Sequence, residues 1–317
     1  MTEFKRFRCR RADEAARLKH RETFLSAADF IWPVFLVEGM GIRQAVPSMP
    51  GVCRYSADRA LKELEKLVRK GLRSVILFGV PKKKGVEQAY RRDGIVQRSI
   101  RAVKERFPAL EIISDVCVCS YTPTGHCHIG DNDRTCELLA EVALSHAEAG
   151  ADCVAPSDMM DGRVLHIKRR LRENRLGRVR IMSYAAKYAS GFYGPFRDAA
   201  ECAPKSGDRK SYQMDPANRE EAMEEIRADL EEGADSVIVK PALPYLDVIY
   251  QAKRAFPCPV IAYNVSGEYA MVLALSGGLR ESVPLMEETL VSIKRAGADR
   301  IITYFAPAAL EMLNEKK

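Results

Sequence analysis

The sequence predicts an α/β fold, a single (β/α)8 TIM barrel with an extended N-terminal arm. Eight short apolar runs recur along the chain, and segments with helical periodicity separate most of them. A short glycine-containing motif that is typical of a helix end precedes several of these runs. Alternating helices and strands give a parallel sheet with right-handed crossovers, and eight such units favour a closed barrel. A doubly wound sheet is the alternative, and the absence of G-x-G-x-x-G and P-loop motifs weakens it.

The apolar runs define the predicted strands in chain order. They cover residues 31–37, 74–80, 111–118, 152–157, 179–186, 236–241, 259–265 and 300–305. The helix-ending motifs lie at 70–73, 148–152, 232–235 and 295–299, each directly before a strand. We expect the glycine in each motif to adopt the left-handed conformation that ends a helix. Residues 1–27, which precede the first predicted strand, form the predicted arm, and residues 28–317 form the predicted barrel.

Composition restricts the class of protein. The chain has 317 residues and is 47% apolar, which suffices for a sizeable core. No apolar run is long enough to span a membrane, and the N-terminus lacks the apolar core of a signal peptide, so we expect a cytoplasmic protein without membrane contact. Its nine cysteines are then thiols or metal ligands. The net charge of +7 includes a basic run at residues 5–11, which we interpret as an exposed arm without nucleic-acid binding.

Two lysines dominate the chemistry. Lys187 and Lys240 each end an apolar strand-like run. A lone buried lysine is more often paired or snorkelling than nucleophilic. A desolvated lysine near a second cation, however, has a lowered pKa and can attack a ketone to form a Schiff base. Two such lysines on adjacent strands, at the rim where barrel active sites lie, favour an enzyme that holds two carbonyl substrates covalently.

Three cysteines form a candidate metal site. Cys117, Cys119 and Cys127 give the spacing C-x-C-x7-C, and His126 and His128 lie beside the last of them. Three thiolates suit zinc and leave a fourth position open, which is typical of a catalytic metal. The alternatives are buried apolar cysteines or a redox pair.

The segment at about 188–212 follows Lys187 and is rich in glycine, serine, proline and charge. A long loop in a compact domain is usually functional, so we predict a lid over the active site. Arg197 and Arg209 lie in it. They either clamp a substrate carboxylate, as arginine forks do, or are solvated charges.

Eight motifs, in order from about Arg6 to Pro307, resemble the porphobilinogen synthase (5-aminolaevulinate dehydratase) family. They are RETFLSAADFIWPVF, DVCVCSYT with GHC, GADCVAPSDMMDGRV, MSYAAKYASGFYGPFRDA, GDRKSYQMDPANREEA, GADSVIVKPALPYLD, YNVSGEYAM and AGADRIITY.

The resemblance implies a lyase that condenses two 5-aminolaevulinate molecules to porphobilinogen, with loss of two waters, in tetrapyrrole (haem) biosynthesis. It implies a (β/α)8 barrel whose arm wraps a neighbouring subunit, usually in a homo-octamer. Lys240 would form the Schiff base in the P site and Lys187 the one in the A site. Ser266 and Tyr304 would hold the P-site carboxylate, and Arg197, Arg209 and Gln213 would hold the A-site substrate. Tyr193 and Phe196 would belong to the lid and the pocket. Asp115 would be a polar pocket residue that assists proton transfer.

The resemblance also implies metals. Cys117, Cys119 and Cys127 match the zinc-binding version of the family, although Thr124 stands where some zinc-type members have histidine. Glu225 falls where some members bind an allosteric magnesium, with Arg11 near it.

Two other functions remain open from the residues alone. A class I aldolase-type Schiff-base lyase needs only one of the lysines and none of the cysteines. A zinc- or redox-sensing barrel uses the cysteines but leaves both lysines and the lid unexplained.

Overall fold

A computed structural model describes residues 4–315 of the chain. The first three residues of the predicted arm and the last two of the predicted barrel domain lie outside the described residues. The strands of the described chain are β1 (Phe30–Val37), β2 (Arg43–Ala45), β3 (Cys53–Tyr55), β4 (Ser74–Val80), β5 (Glu111–Val116), β6 (Cys153–Pro156), β7 (Arg180–Lys187), β8 (Ser236–Lys240), β9 (Val260–Asn264) and β10 (Arg300–Thr303).

Eight parallel strands close into a barrel. They follow one another in chain order from β1 through β4 to β10, and β10 pairs with β1 through Phe30 and Ile301. This closure confirms the predicted (β/α)8 barrel and excludes the doubly wound alternative. All eight predicted strands are present, with ends that differ by at most a few residues.

The sequence did not predict β2 and β3. They form an antiparallel hairpin that attaches to the end of β1 through Phe35 and Leu36. Each has three residues, which is too short to show an alternating apolar pattern.

Most of the helices surround the barrel and cover the outer faces of its strands, whereas α1 belongs to the arm and α7 to the predicted lid. The helices of the described chain are α1 (Glu14–Lys19), α2 (Ala57–Arg69), α3 (Glu87–Tyr90), α4 (Ile95–Arg106), α5 (Asn132–Glu148), α6 (Arg163–Glu173), α7 (Gly194–Ala200), α8 (Glu220–Glu232), α9 (Leu246–Ala255), α10 (Ser266–Ser276), α11 (Val283–Arg295) and α12 (Ala306–Glu315). No helix in residues 4–315 is both long and apolar enough to cross a membrane.

The predicted helix-ending glycines explain how the chain turns back into the barrel. Gly71, Gly150, Gly233 and Gly297 have φ values of 100°, 106°, 109° and 118°. A side chain is disfavoured at these angles, so glycine ends each helix and returns the chain to the next strand. The strands that follow are almost entirely buried, as expected of parallel strands covered on both faces.

The predicted arm has little core of its own. It contains a 3-10 turn at Phe7–Arg11 and helix α1, and neither has a buried residue. The arm presents several exposed large apolar side chains: Phe4, Phe7, Leu18 and Phe24. Its role in subunit contacts stays a prediction.

The predicted lid contains regular structure that its sequence did not reveal. A 3-10 turn at Gly191–Tyr193 leads into α7. Helix α7 has seven residues, which is about two turns, so no apolar periodicity is visible in its sequence.

Candidate active site

The two lysines lie side by side at the C-terminal rim of the barrel. They are the last residues of β7 and β8, and Lys187 is the register partner of Lys240. Register partners on parallel strands point to the same face of the sheet, so both side chains enter the barrel mouth. Both are buried, with 4% and 5% of their surface exposed.

Aromatic rings surround the amine of Lys240. Its Nζ lies 4.3 Å from the ring centre of Tyr263, 4.9 Å from that of Phe196 and 5.1 Å from that of Tyr193. Burial and the positive charge of Lys187 lower the pKa of Lys240 to about 7, and the charge of Asp115 opposes them. A large fraction of the Lys240 amine is therefore neutral near neutral pH, as attack on a ketone requires.

Asp115 adds a carboxylate to the same pocket. It lies on β5, and its Oδ1 has no hydrogen-bond partner among the described residues. Burial raises the pKa of Asp115 to about 6, against the opposing effects of a hydrogen bond from Ser157 and the charges of both lysines. Lys187 Nζ donates to the main-chain oxygen of Ser157, which brings the strand ends of β6 and β7 together.

Cys117, Cys119 and Cys127 come together directly after β5. Their three sulfur atoms lie within 4.8 Å of one another, and all three residues are buried. Two thiolates bound to one zinc at about 2.3 Å each are no more than about 4.6 Å apart. Three sulfurs this close together therefore fit a single thiophilic metal ion.

The two neighbouring histidines do not join this cluster. The His126 ring contacts the hydroxyl of Tyr212 at 3.1 Å and the main-chain oxygen of Ser206 at 3.0 Å. Thr124 accepts a hydrogen bond from the His126 main-chain nitrogen at 3.3 Å, and its own main-chain oxygen accepts one from Lys205 at 3.0 Å. Both residues thus connect the cysteine loop to the segment after α7.

The two arginines of the predicted lid differ. The Arg197 side chain makes no hydrogen bond or ion pair with the described residues, and its Nε is buried. Arg209 is 5% exposed, and its Nη2 donates to the main-chain oxygens of Cys202 at 2.6 Å and Gly125 at 2.8 Å. Arg209 is therefore not a solvated charge, and part of its guanidinium is used to hold two loops.

The remaining predicted substrate residues lie around the same mouth. Ser266 Oγ accepts from the Phe196 main-chain nitrogen at 2.9 Å, and the hydroxyls of Tyr304 and Tyr263 are 3.0 Å apart. Tyr193 Oη donates to the main-chain oxygen of Lys240 at 3.2 Å. The amide of Gln213 is buried, and neither of its polar atoms has a partner in the described chain.

Glu225 borders a cavity that neither Lys187 nor Lys240 lines. It is on α8 and lines a cavity of about 580 Å³ together with Asp161, Glu221 and Gln213. Burial raises the pKa of Glu225 to about 7, against the charge of Arg163. No contact joins it to Arg11 among the described residues, and Arg11 is exposed.

Comparison with known proteins identifies the family. The family model for delta-aminolevulinic acid dehydratase matches residues 4–312. The enzyme of that name from Halalkalibacterium halodurans is 51% identical over 99% of this chain and 98% of its own length, and that of Bacillus subtilis is 50% identical over 98% and 99%.

The chain belongs to the delta-aminolevulinic acid dehydratase family.

A crystal structure of the family's enzyme from Toxoplasma gondii, in complex with the reaction product porphobilinogen, matches with a TM-score of 0.96 and 39% identity over 100% of this chain and 93% of the other. Membership of the delta-aminolevulinic acid dehydratase family confirms the predicted resemblance and the predicted lyase class. It also excludes the two alternative functions, a class I aldolase-type Schiff-base lyase and a zinc- or redox-sensing barrel.

One buried residue of the site escaped the sequence analysis. Cys202 follows α7 and is fully buried. The neighbouring Cys119 thiol and the charge of Arg209 lower the pKa of Cys202 to about 7, against the opposing effect of burial. The family motifs did not single it out, and it lies far along the chain from the other cysteines. Only the folding of the predicted lid against the cysteine loop brings it to them.

Proposed function

We propose that this chain condenses two molecules of 5-aminolaevulinate to porphobilinogen, with Lys240 and Lys187 each holding one substrate as a Schiff base. The observation that carries this proposal is the pairing of the two lysines in register at one rim of the barrel. A porphobilinogen complex of the related Toxoplasma gondii enzyme supports the choice of product.

The two lysines account for the atoms that are lost. The amine of each lysine adds to a substrate ketone, and the resulting carbinolamine releases the ketone oxygen as water. The new bonds of the pyrrole then replace the two imine bonds, so both lysines are regenerated. The net loss is two waters for two substrates.

Asp115 is proposed to move protons between these steps. It faces both lysines, and a carboxyl whose pKa is about 6 gives up and regains a proton close to neutral pH. Its unpartnered Oδ1 leaves an acceptor available for a substrate proton.

Polar groups around the mouth are proposed to bind the two substrate carboxylates. Ser266 and Tyr304 would hold the P-site carboxylate, and Arg197, Arg209 and Gln213 would hold the A-site substrate. The unpaired guanidinium of Arg197 and the unpartnered amide of Gln213 support this assignment, because buried polar groups without partners are rare in folded proteins. Tyr193 and Phe196 would close the pocket as part of a lid at 188–212.

The cluster of Cys117, Cys119 and Cys127 is proposed to hold zinc. When bound, zinc supplies a Lewis acid near the reacting carbonyl groups. Three thiolates leave one excess negative charge on a divalent ion, and the positive charge of Arg209 lies close to all three sulfurs. Arg209 would thus offset that charge as well as order the loops.

Two further proposals concern assembly and regulation. The arm at 1–27 would contact a neighbouring subunit in a homo-octamer, which its exposed phenylalanines support. Glu225 would bind an allosteric magnesium between subunits, with Arg11 of a neighbouring subunit's arm nearby. We also propose that the enzyme works in the cytoplasm, where free thiols stay reduced.

Borohydride trapping tests the central proposal. Reduction in the presence of 5-aminolaevulinate should leave a stable adduct on Lys240, located by mass spectrometry of the digested chain. Lys240→Met should abolish both the adduct and turnover, whereas Lys187→Met should block turnover and still allow trapping at Lys240. An adduct found only at other lysines would contradict the assignment.

A further inference from the structure

A carboxylate without access to solvent lies next to the proposed P site. Glu268 is the third residue of α10, two positions after Ser266, and it is 0% exposed. Its Oε2 accepts hydrogen bonds from the Val265 main-chain nitrogen and from Asn264 Nδ2, both at 2.8 Å. A glutamate at this position commonly accepts from the nitrogen that precedes its helix, so the bond from Val265 is an ordinary helix cap. The other contacts of Glu268 go beyond a cap.

One of these contacts reaches the chain directly after Lys240. Glu268 Oε1 accepts from the main-chain nitrogen of Leu243 at 2.7 Å, and Leu243 lies three residues after Lys240. Leu243 begins the 3-10 turn that follows β8. The two oxygens of one carboxylate therefore hold the turn after β8 and the start of α10 at a fixed separation.

The same network continues to the end of β10. Asn264 ends β9, and its Oδ1 accepts from Thr303 Oγ1 at 2.8 Å. Thr303 ends β10, and its Oγ1 accepts from the Phe305 main-chain nitrogen at 3.1 Å. Tyr304 lies between Thr303 and Phe305 in the chain. Glu268, Asn264 and Thr303 are all 0% exposed, so water does not compete for these bonds.

The partners of Glu268 suit a role in holding segments rather than in proton transfer. All three are N–H donors, and together they use both carboxylate oxygens. Asp115, by contrast, keeps one oxygen without a partner among the described residues. Glu268 can therefore affect a bound substrate only through the residues that it holds in place.

We propose that Glu268 is a positioning residue that fixes the distance between the two ends of the P site. One end is the amine of Lys240, and the other is the pair of hydroxyls of Ser266 and Tyr304. The inference rests on the proposed function, in which one substrate uses its ketone at the first end and its carboxylate at the second. A ligand that must meet both ends gains affinity when their separation is fixed before it binds.

The amine of Lys240 is held mainly by other contacts. Strand β8 pairs with β7 on one side and with β9 on the other. The main-chain oxygen of Lys240 accepts from the Tyr188 nitrogen at 3.0 Å and from Tyr193 Oη at 3.2 Å. Loss of the Glu268 contact to Leu243 should therefore move the start of α10 relative to the amine, and a ligand that meets only the amine should be little affected.

The test measures ligand binding at Lys240 alone. The parent is the full chain with Lys187→Met, in which the second proposed Schiff base cannot form. Borohydride reduction is combined with mass spectrometry that locates the adduct. The two ligands are 5-aminolaevulinate and 1-aminobutan-2-one, which has a hydrogen atom in place of the carboxylate group. The quantity compared is the ligand concentration that gives half of the maximal adduct at a short fixed time.

Glu268→Gln is the main variant, made in this parent. An amide has one acceptor oxygen, so the nitrogen of Leu243 or that of Val265 loses its acceptor while the side-chain volume is kept. The half-maximal concentration of 5-aminolaevulinate should rise about tenfold, which corresponds to the loss of about one hydrogen bond. That of 1-aminobutan-2-one should change by less than about twofold, because this ligand does not need both ends to be aligned.

Asp299→Asn is the matched control. The Asp299 carboxylate also accepts from a main-chain nitrogen of β9, that of Val260 at 2.8 Å, but at the opposite end of the strand. This variant should lower the melting temperature and leave both half-maximal concentrations unchanged. Thr303→Val removes the hydroxyl that donates to Asn264, and it should raise the value for 5-aminolaevulinate alone by about threefold. It provides the test if circular dichroism shows that Glu268→Gln does not fold.

Three results would overturn the proposal. Unchanged values for both ligands in the folded variant would show that Glu268 is only a helix cap. Equal increases for both ligands would show that it acts on the amine or on the fold in general. Either of these results, with an adduct at Lys240 in the parent, would leave the proposed function standing. A parent without any adduct at Lys240 would contradict the proposed function and this inference together.

Discussion

At the residue scale, the surroundings of Lys240 explain why this lysine is suited to covalent chemistry. Its amine contacts aromatic ring faces, and no carboxylate within residues 4–315 is hydrogen-bonded to it. Ring faces attract a cation only modestly, and they do not replace the water that burial removes. The charge of Lys187 in the register position acts in the same direction as burial. Neither effect follows from the sequence of β8 alone.

The lowered pKa of Lys240 predicts how reaction rate depends on pH. The amine is protonated below about 7 and neutral above it, so the rate of borohydride-trapped adduct formation should rise through that pH and then level off. Lys187→Met removes a positive neighbour and should move the midpoint to higher pH. Lys187→Arg keeps the charge and should move it much less.

The measurement is the adduct yield at Lys240 at short fixed times, over a pH series from about 5.5 to 9. A midpoint near the ordinary lysine value in the unsubstituted chain would show that burial and Lys187 do not lower this pKa.

At the scale of elements, the segment after β7 determines how the rim is closed. Phe196 of α7 packs on Phe35 of β1 and Phe78 of β4, with ring centres 5.6 Å and 5.3 Å apart. The same segment reaches the cysteine loop after β5 through Arg209. It therefore connects strand ends on opposite sides of the barrel mouth, which is the position that a lid requires.

The two arginines of this segment should respond differently to removal. Arg197→Ala removes a guanidinium that bonds to no described residue, so it should leave the melting temperature unchanged. It should lower kcat/KM about ten- to hundredfold, because a charge-assisted hydrogen bond contributes about 1.5–3 kcal/mol. Arg209→Ala should lower kcat/KM and also destabilise the protein by about 1–3 kcal/mol, because two main-chain oxygens lose their donor.

Thermal unfolding followed by fluorescence, together with steady-state kinetics, separates the two effects. Arg197→Lys is the matched control, and it should recover part of the lost kcat/KM because the charge remains. Equal stability losses for the two alanine variants would contradict the difference seen in their contacts.

At the scale of the whole molecule, the arm stands out from the barrel. The barrel buries its strands almost completely, whereas the turn and helix of the arm bury none of their residues. An exposed segment with phenylalanines and a basic run contributes little to the stability of its own subunit. Such a segment gains stability when its apolar side chains are covered by another subunit.

Deletion of residues 1–27 should therefore change the assembly more than the fold. The full chain should have a mass near eight times 35.5 kDa by light scattering, and the shortened chain should form smaller species with the same circular dichroism per residue in the barrel. Replacement of Phe4 and Phe7 by serine should weaken assembly in the same direction. A shortened chain that still forms the complete assembly would exclude the arm from the main subunit contacts.

The sequence by itself determined the order of the eight barrel strands, the glycine stops and the family. These features are local, because a continuous apolar run and a left-handed glycine act wherever they occur in the chain. It also supplied Lys187, Lys240 and the three cysteines, because lysines at strand ends and closely spaced cysteines are unusual in any fold. Both lysines end their strands as predicted, whereas Cys117 and Cys119 lie just after the end of β5 and Cys127 lies further along the loop that follows.

Only the tertiary structure decided which distant groups meet. The register of β7 against β8 places the two amines side by side, and packing around them sets the pKa of Lys240. The β2–β3 hairpin and α7 were too short to leave a periodic pattern. Arg209 joins the segment that carries Cys202 to the cysteine loop, and these two segments are far apart in the chain. Such an arrangement depends on how the whole barrel brings its loops together, which no local pattern encodes.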